Sequence, residues 1–238
     1  KKKKRMSQSN GAVKSTMNCK QVLAELADHA GDQHWAASGE TPLRADAFAL
    51  SDEEKMERIE RHFYHIMDIM GLDMRDDSLR GTPRRVAKMF VKEIFSGLNP
   101  VNKPKVSLFD NKFAYRQMLV EKDIDVSSFC EHHFLPIYGK AHVAYFANGQ
   151  VIGLSKLNRI VEHYARRPQV QERLTIQIAN ELKHVLRTED VAVLIEAKHM
   201  CVQARGVEHK DSSTVTSEYA GRFLNERVRT EFLQTVRS

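Results

Sequence analysis

The chain has 238 residues, of which 42% are hydrophobic and 29% are charged, a balance typical of a soluble globular protein. No apolar run approaches the roughly 20 residues that a membrane helix requires, and no apolar segment typical of a signal peptide follows the basic start of the sequence. Three cysteines are too few for a disulfide framework in a chain of this length. We therefore expect reduced thiols and a cytoplasmic protein without a membrane partner.

The net charge of +6 is concentrated at one place, because residues 1–5 alone carry +5. A basic run of this kind can be an arm that binds nucleic acid. No aromatic residue accompanies it, however, so we expect residues 1–17 to form a disordered basic tail and nucleic acid not to be a partner.

The segment 18–98 is predicted to be an N-terminal helical region. Its first helix covers residues 18–30, where apolar side chains share one face. A second helix starts at the capping box of residues 51–54 and ends at Gly71. The pair Thr82-Pro83 predicts the start of a third helix, with the threonine as N-cap and the proline in the first helical position.

Residues 99–238 are predicted to form an α+β domain. Apolar residues alternate in several short segments, which indicates strands at residues 106–109, 118–126, 137–146, 191–202 and 213–219. Helices are expected at 156–166 and 170–186, and Asn225 is expected to cap a last helix. This order of elements favours an antiparallel sheet with the helices on one face.

Four consecutive residues, from Cys130 to His133, contain a thiol, a carboxylate and two imidazoles. Cys130 and His133 have the C-x-x-H spacing of zinc ligands, but two ligands do not make a stable site. Along the predicted strand 191–202, alternation places His199 and Cys201 on the apolar face. If that strand ends beside Cys130, the ligands Cys130, His133 and Cys201 converge.

Three protein ligands leave one coordination position for water, as in catalytic zinc sites, where the metal lowers the pKa of water to about 7. His132 and His199 would then be nearby imidazoles that transfer protons. A closed structural site would instead need a fourth ligand, for which His132, His199 and Cys19 are candidates. A further alternative is that Cys201 is only a small buried hydrophobic residue.

A candidate anion site lies in the segment 152–159, which reads as the end of a strand that turns into a helix. Ser155 is predicted to be the N-cap of that helix, where a hydroxyl and backbone N–H groups favour anions. Lys156 and Arg159 add positive charge, and Arg205 follows the second cysteine segment. Together these residues indicate a substrate with a polyphosphate group.

Gln171 and Glu172 form a candidate pair for base recognition. The carboxylate can accept hydrogen bonds from the ring N–H and amino group of guanine, and the amide can donate to its carbonyl. Glu172 also fits a simpler interpretation, in which it is a carboxylate favoured by the first turn of a helix.

The chain resembles the GTP cyclohydrolase I family from Leu72 to its C-terminus. The motifs that carry the resemblance, in chain order, cover residues 81–89, 130–133, 151–156, 169–175, 199–201 and 204–206. The resemblance implies the tunnelling fold, in which protomer sheets join edge to edge into an oligomeric barrel. It also implies a homodecamer of two pentamers with active sites between subunits.

The implied activity is zinc-dependent hydrolytic opening of the guanine imidazole ring of GTP. The products are 7,8-dihydroneopterin triphosphate and formate, and the reaction is the first step of folate and pterin biosynthesis. The resemblance implies roles for the following residues: one zinc ion per subunit on Cys130, His133 and Cys201; proton transfer by His132 and His199; base recognition by Gln171 and Glu172 with the backbone of Leu154; and triphosphate binding by Ser155, Lys156, Arg159 and Arg205, with Arg85 from a neighbouring subunit.

Two competing hypotheses belong to other classes of protein. One is a non-catalytic, zinc-stabilised assembly or nucleotide-binding regulator on the same fold, which would need a fourth protein ligand in place of water. The other is a nucleic-acid binder that uses residues 1–5. Glu131 has two open interpretations, either as the acceptor of a hydrogen bond from a metal-ligating imidazole or as a residue with a local structural role. Residues 1–50 carry no functional residue in this interpretation.

Overall fold

The computed structural model describes residues 38–238 of the chain. This part contains six α-helices and seven strands, with shorter helical turns and loops between them. The helices are α1 (Asp52–Ile69), α2 (Thr82–Lys88), α3 (Leu154–Ala165), α4 (Gln171–Leu186), α5 (Met200–Gln203) and α6 (Glu226–Arg237). The strands are β1 (Leu108–Asp110), β2 (Met118–Cys130), β3 (Pro136–Phe146), β4 (Gln150–Ile152), β5 (Pro168–Gln169), β6 (Val191–His199) and β7 (Thr214–Tyr219).

Several predictions fall outside that part of the chain. The basic tail 1–17 and the helix 18–30 lie outside the described residues, as does the run 1–5 on which the nucleic-acid hypothesis rests. Within residues 38–238, no helix is long and apolar enough to cross a membrane.

The predicted start of α1 is confirmed at the level of single hydrogen bonds. The Ser51 hydroxyl accepts from the Glu54 backbone N–H, and the Glu54 carboxylate accepts from the Ser51 backbone N–H at 2.8 Å. These two bonds satisfy donors that a helix start otherwise leaves exposed. Just beyond the helix, Gly71 has a φ of +80°, a conformation that glycine adopts without strain.

The start of α2 differs from its prediction by one position. Gly81 occupies the cap position and Thr82 is already helical, while Pro83 lies in the first turn as expected. The helix then widens into a π-helix over Met89–Ile94, which the apolar periodicity did not predict. Two aromatic residues of this region pack against the candidate metal loop, as described below.

The main sheet has five strands in the order β5-β2-β3-β6-β7. All pairs are antiparallel except β5, which pairs parallel with β2 over Phe129 and Cys130. Because β2 extends beyond its predicted end at residue 126, Cys130 lies at the end of a sheet strand. β1 pairs with β4 in a separate two-stranded sheet.

The two faces of the sheet are covered by different helices. Val143 and Val193 point into the core that α3 and α4 complete. Ala144 and Ala192 point to the other side, where Phe232 of α6 covers them. The prediction that all helices lie on one face is therefore wrong for α6, because alternate strand residues are apolar on both faces at this end of the sheet.

The predicted strand 191–202 is too long. β6 ends at His199, and Met200 begins the short helix α5. His199 is opposite Ile137, so Met200 would have to pair with Pro136, which has no N–H to extend the ladder. The argument that Cys201 shares a strand face with His199 is therefore wrong, because Cys201 lies on a helical turn.

Candidate metal centre and active site

The three residues predicted as metal ligands lie together. One ligand atom from each of Cys130, His133 and Cys201 lies within 4.8 Å of the other two. Cys130 is buried at the end of β2, His133 is exposed in the turn that follows, and Cys201 is half-buried on α5. We call this group the metal trio.

The turn that carries the first two members of the trio is short and well fixed. The Cys130 backbone N–H donates to Leu135 at 2.9 Å, and the Phe134 N–H donates back to the Cys130 carbonyl at 2.8 Å. Phe134 has a φ of +53°, which is unfavourable for a bulky residue. Its ring packs edge-on against Phe90 and Phe95 from the N-terminal helical region, and these contacts hold the turn in place.

The donor set of the metal trio fits zinc. Two thiolates and one imidazole are preferred zinc ligands, and bonds of about 2.3 Å to sulfur require donor separations of about 3.8 Å in a tetrahedral site. Since the observed separations are no longer than 4.8 Å, a contraction of at most about 1 Å would bring the group to that spacing. Burial is the main cause that raises the pKa of the Cys201 thiol, and the neighbouring Cys130 adds to it. A bound cation would favour the thiolate form of Cys201.

The two predicted proton-transfer histidines lie beside the metal trio without belonging to it. His132 Nδ1 is 3.5 Å from Cys130 Sγ. His199 is half-buried at the end of β6, and its Nε2 is 2.8 Å from Gln171 Oε1. Burial lowers the pKa of His199, and the nearby Glu172 carboxylate partly opposes that effect. Burial therefore favours the neutral form of the His199 imidazole.

Gln171 and Glu172 are consecutive, but the first is buried and the second is exposed. Gln171 is only 2% exposed, and its amide is hydrogen-bonded to β6, to β7 and to His199. Glu172 is exposed in the first turn of α4, close enough to His199 to affect its pKa. Of the two, Glu172 is therefore the one whose side chain faces solvent next to the trio.

The residues predicted to bind triphosphate lie at the start of α3. This helix begins at Leu154 with Gly153 in the cap position and without a side-chain cap, so the prediction of Ser155 as N-cap is wrong. Ser155 and Arg159 are exposed, and Lys156 is half-buried. The basic residues of this turn are thus available to solvent, as a phosphate site requires.

Within one chain, this segment and the metal trio lie at opposite ends of the sheet. The Ile152 N–H, just before α3, donates to the Tyr145 hydroxyl, and Tyr145 is opposite Val191 at the start of β6. His199 lies at the other end of β6, opposite Ile137. At about 3.3 Å per residue, the eight intervening steps amount to about 26 Å.

A family model described as GTP cyclohydrolase I matches residues 59–237. The chain belongs to the GTP cyclohydrolase I family.

Curated relatives support the same membership over nearly their full lengths. The chain is 57% identical over 213 residues to GTP cyclohydrolase 1 of Flavobacterium johnsoniae, a match that covers 90% of this chain and 96% of the relative. It is 53% identical over 195 residues to GTP cyclohydrolase 1 of Aeromonas hydrophila, covering 82% and 88%. It is 50% identical over 198 residues to GTP cyclohydrolase 1 of Haemophilus influenzae strain PittEE, covering 83% and 90%.

The two remaining arginines predicted from the GTP cyclohydrolase I resemblance lie in different regions. Arg205 is at the metal end of the sheet, where its Nη1 is 2.7 Å from His133 Nε2. Arg85 is exposed on α2, and its Nη2 donates to the Ser78 carbonyl and the Thr82 hydroxyl. Arg205 therefore brings a guanidinium to the metal end from within the same chain.

One interaction of this GTP cyclohydrolase I site was not predicted from the sequence. Both carboxylate oxygens of Glu131 accept from Arg173, at 2.5 and 3.2 Å, and the Arg173 side chain is only 2% exposed. Arg173 Nε also donates to the Ser38 carbonyl at 2.6 Å. The signal that could have revealed the pair is an arginine on the apolar face of α4, because a buried guanidinium needs a carboxylate partner.

Proposed function

We propose that the protein is a zinc-dependent GTP cyclohydrolase. It would open the imidazole ring of the guanine of GTP by hydrolysis and give 7,8-dihydroneopterin triphosphate and formate, the first step of folate and pterin biosynthesis. The observation that carries the proposal is the metal trio with His132 and His199 beside it, in a chain of the GTP cyclohydrolase I family.

The trio would hold one zinc ion per chain. When bound there, zinc would lower the pKa of water and so supply a nucleophile for C8 of the base near neutral pH. His199, which burial favours in the neutral form and which Gln171 holds in place, would accept or donate a proton. His132 beside Cys130 is the second group that would give or take protons as the C8 carbon is released as formate.

Substrate recognition is divided between two kinds of residue. The exposed carboxylate of Glu172 would accept hydrogen bonds from the guanine ring N–H and amino group, with the Leu154 backbone also near the base. The triphosphate would be bound by the following basic and hydroxyl residues: Ser155, Lys156, Arg159, Arg205 and Arg85. Binding energy from the phosphates would help to place C8 over the metal.

The separation of about 26 Å within one chain supports an active site shared between copies. The phosphate segment of one copy would approach the metal trio of another, as in a homodecamer built from sheets joined edge to edge. The sheet has edges for such joining within the described residues. β7 forms one edge, and β5 covers only Phe129 and Cys130 of the long strand β2 at the other.

The thiol chemistry supports a reducing compartment such as the cytoplasm. Cys130 and Cys201 are free thiols that lie close enough to belong to one metal site. Oxidation of the pair would remove two of the three ligands, so the proposed function needs them reduced.

The direct test is to incubate the purified protein with GTP after loading it with zinc. We expect formate and a pterin product that becomes fluorescent on oxidation, in equal amounts, with about one zinc per chain. Removal of zinc with a chelator should abolish both products, and adding zinc back should restore them. A zinc-loaded protein that binds GTP but releases no formate would refute the proposal and favour a nucleotide-binding regulator.

A further inference from the structure

The Gln171 side chain is enclosed by hydrogen-bond partners. Its Nε2 lies 3.1 Å from the Ile195 carbonyl, 2.9 Å from the Thr214 carbonyl and 3.1 Å from the Thr216 hydroxyl. The two carbonyl oxygens can only accept, so they fix which end of the amide is the nitrogen. An inverted amide would bring its oxygen against both carbonyls.

The opposite end of the amide therefore determines the state of His199. Gln171 Oε1 can only accept, and it lies 2.8 Å from His199 Nε2, so that nitrogen carries a hydrogen. In the neutral imidazole the lone pair is then on Nδ1. Gln171 selects both the orientation and the tautomer with which His199 meets a substrate.

The surrounding threonines make this arrangement rigid. The Thr216 hydroxyl lies 2.7 Å from the Thr175 hydroxyl, which in turn is 2.9 Å from the Gln171 backbone carbonyl. The amide is thus held by β6 and β7, Thr175 ties Thr216 to the Gln171 backbone, and Gln171 is 2% exposed. A side chain with these contacts is suited to orienting a neighbour, whereas the exposed Glu172 is suited to touching a ligand.

We infer that Gln171 is a positioning residue that acts on the reaction through His199 and does not read the guanine base. This inference rests on the proposed cyclohydrolase function and refines it. Base recognition then falls to Glu172, and Gln171 belongs to the proton-transfer apparatus.

The two roles predict different kinetics for Gln171→Met, which keeps the volume and removes the hydrogen bonds. A base-reading residue would weaken GTP binding, whereas a positioning residue lowers the rate with bound substrate unchanged. In single-turnover assays of the zinc-loaded protein over a range of GTP concentrations, we expect the maximal rate of formate release to fall about 100-fold. The GTP concentration that gives half of that rate should change less than about twofold.

A double-mutant cycle tests whether the effect passes through His199. In a His199→Ala background, Gln171→Met should cause no further loss of rate, because the residue it positions is gone. Gln177→Met is the matched control, since Gln177 is 3% exposed on the same helix and its amide contacts Gln169 and Glu40 rather than a site histidine. It should keep the wild-type rate within about twofold.

If Gln171→Met does not fold, Thr216→Val provides the same test with a smaller change, because it removes one of the three acceptors. We expect about a threefold lower rate with unchanged GTP dependence and unchanged zinc content. A variant at Gln171 or Thr216 that keeps the maximal rate but requires more GTP would overturn the positioning role alone. Additive losses in the double-mutant cycle would also overturn the positioning role alone. A wild-type protein that releases no formate would overturn both the positioning role and the cyclohydrolase proposal.

Discussion

The two ends of the five-stranded sheet differ in how completely one chain builds them. At the end where β2 and β6 finish, Cys130 is buried, His199 is half-buried, and Gln171 and Arg173 bond to residues of the site. At the other end, the first turn of α3 exposes Ser155 and leaves the helix start without a side-chain cap.

This difference matches the two tasks proposed for the site, which are metal binding with proton transfer at one end and triphosphate binding at the other. Proton transfer and metal binding depend on groups held in fixed geometry before the substrate arrives, and a single chain can supply that geometry. Binding of a flexible triphosphate depends on charge and on accessible N–H groups, which tolerate a looser arrangement. We call the end with the metal trio and His199 the fixed end, and the end with the first turn of α3 the accessible end. The proposed contact between copies brings the fixed end of one chain to the accessible end of another.

The largest expected effect is at the fixed end. Cys201→Ser should lose zinc and reduce formate release by at least about 1,000-fold, because a hydroxyl is a poor replacement for a thiolate ligand. Metal content by atomic absorption and formate release measure the two losses. Cys19→Ser is the control and should keep both. Full activity in Cys201→Ser would show that the ligand assignment is wrong.

His199→Ala should separate metal binding from proton transfer. The variant is expected to keep one zinc per chain and to lose turnover by about 100- to 1,000-fold, since general acid–base catalysis is lost while the trio is intact. Zinc content and rate are measured on the same sample. If zinc is lost as well, His199 is a ligand and the closed structural site gains support.

The accessible end is tested by Lys156→Ala combined with Arg159→Ala. Loss of two charge-assisted contacts should reduce kcat/KM for GTP by about 100-fold and leave zinc binding unchanged. The decisive experiment co-expresses this double variant with Cys201→Ser. If sites are shared between copies, random mixing should restore about one quarter of the wild-type activity, because each inactive chain supplies the end that the other lacks. Activity no higher than that of the separate variants would indicate that each site is built within one chain.

The last prediction concerns the folding stability of the fixed end, where we expect the smallest effect on activity. Glu131→Gln leaves the buried Arg173 without its carboxylate and should destabilise the fold by about 3 kcal/mol. Glu162→Gln is a matched control, since Glu162 also pairs with an arginine at 2.5 Å but in an exposed i,i+4 arrangement. It should cost less than about 0.5 kcal/mol. Thermal unfolding midpoints compare the two, and equal shifts would contradict a structural role for the Glu131 pair.

The elements of the fold followed well from local sequence, because their signals are local. The capping box at Ser51 and the helix cap at Asn225 depend on neighbours a few residues away. The prediction that placed Cys201 on the strand was wrong because β6 ends where Pro136 of the adjacent strand has no N–H to donate. The alternation of residues within β6 contains no information about that neighbour.

The convergence of Cys130, His133 and Cys201 was predicted from the sequence, whereas the contacts around these residues were not. The C-x-x-H spacing of Cys130 and His133 pointed to a metal without any long-range information. The surroundings of Gln171 depend on Thr214 and Thr216 of β7, more than 40 residues along the chain. The Glu131–Arg173 pair likewise joins residues 42 positions apart, so only the folded chain reveals it.

The position of β7 at the edge of the sheet has a consequence for assembly. Two of the three oxygens that hold the Gln171 amide belong to this strand, which has a hydrogen-bonded neighbour strand on one side only. A second chain paired along the open side would fix β7 from both sides. The contact proposed to complete the phosphate site would then also support the orientation of His199.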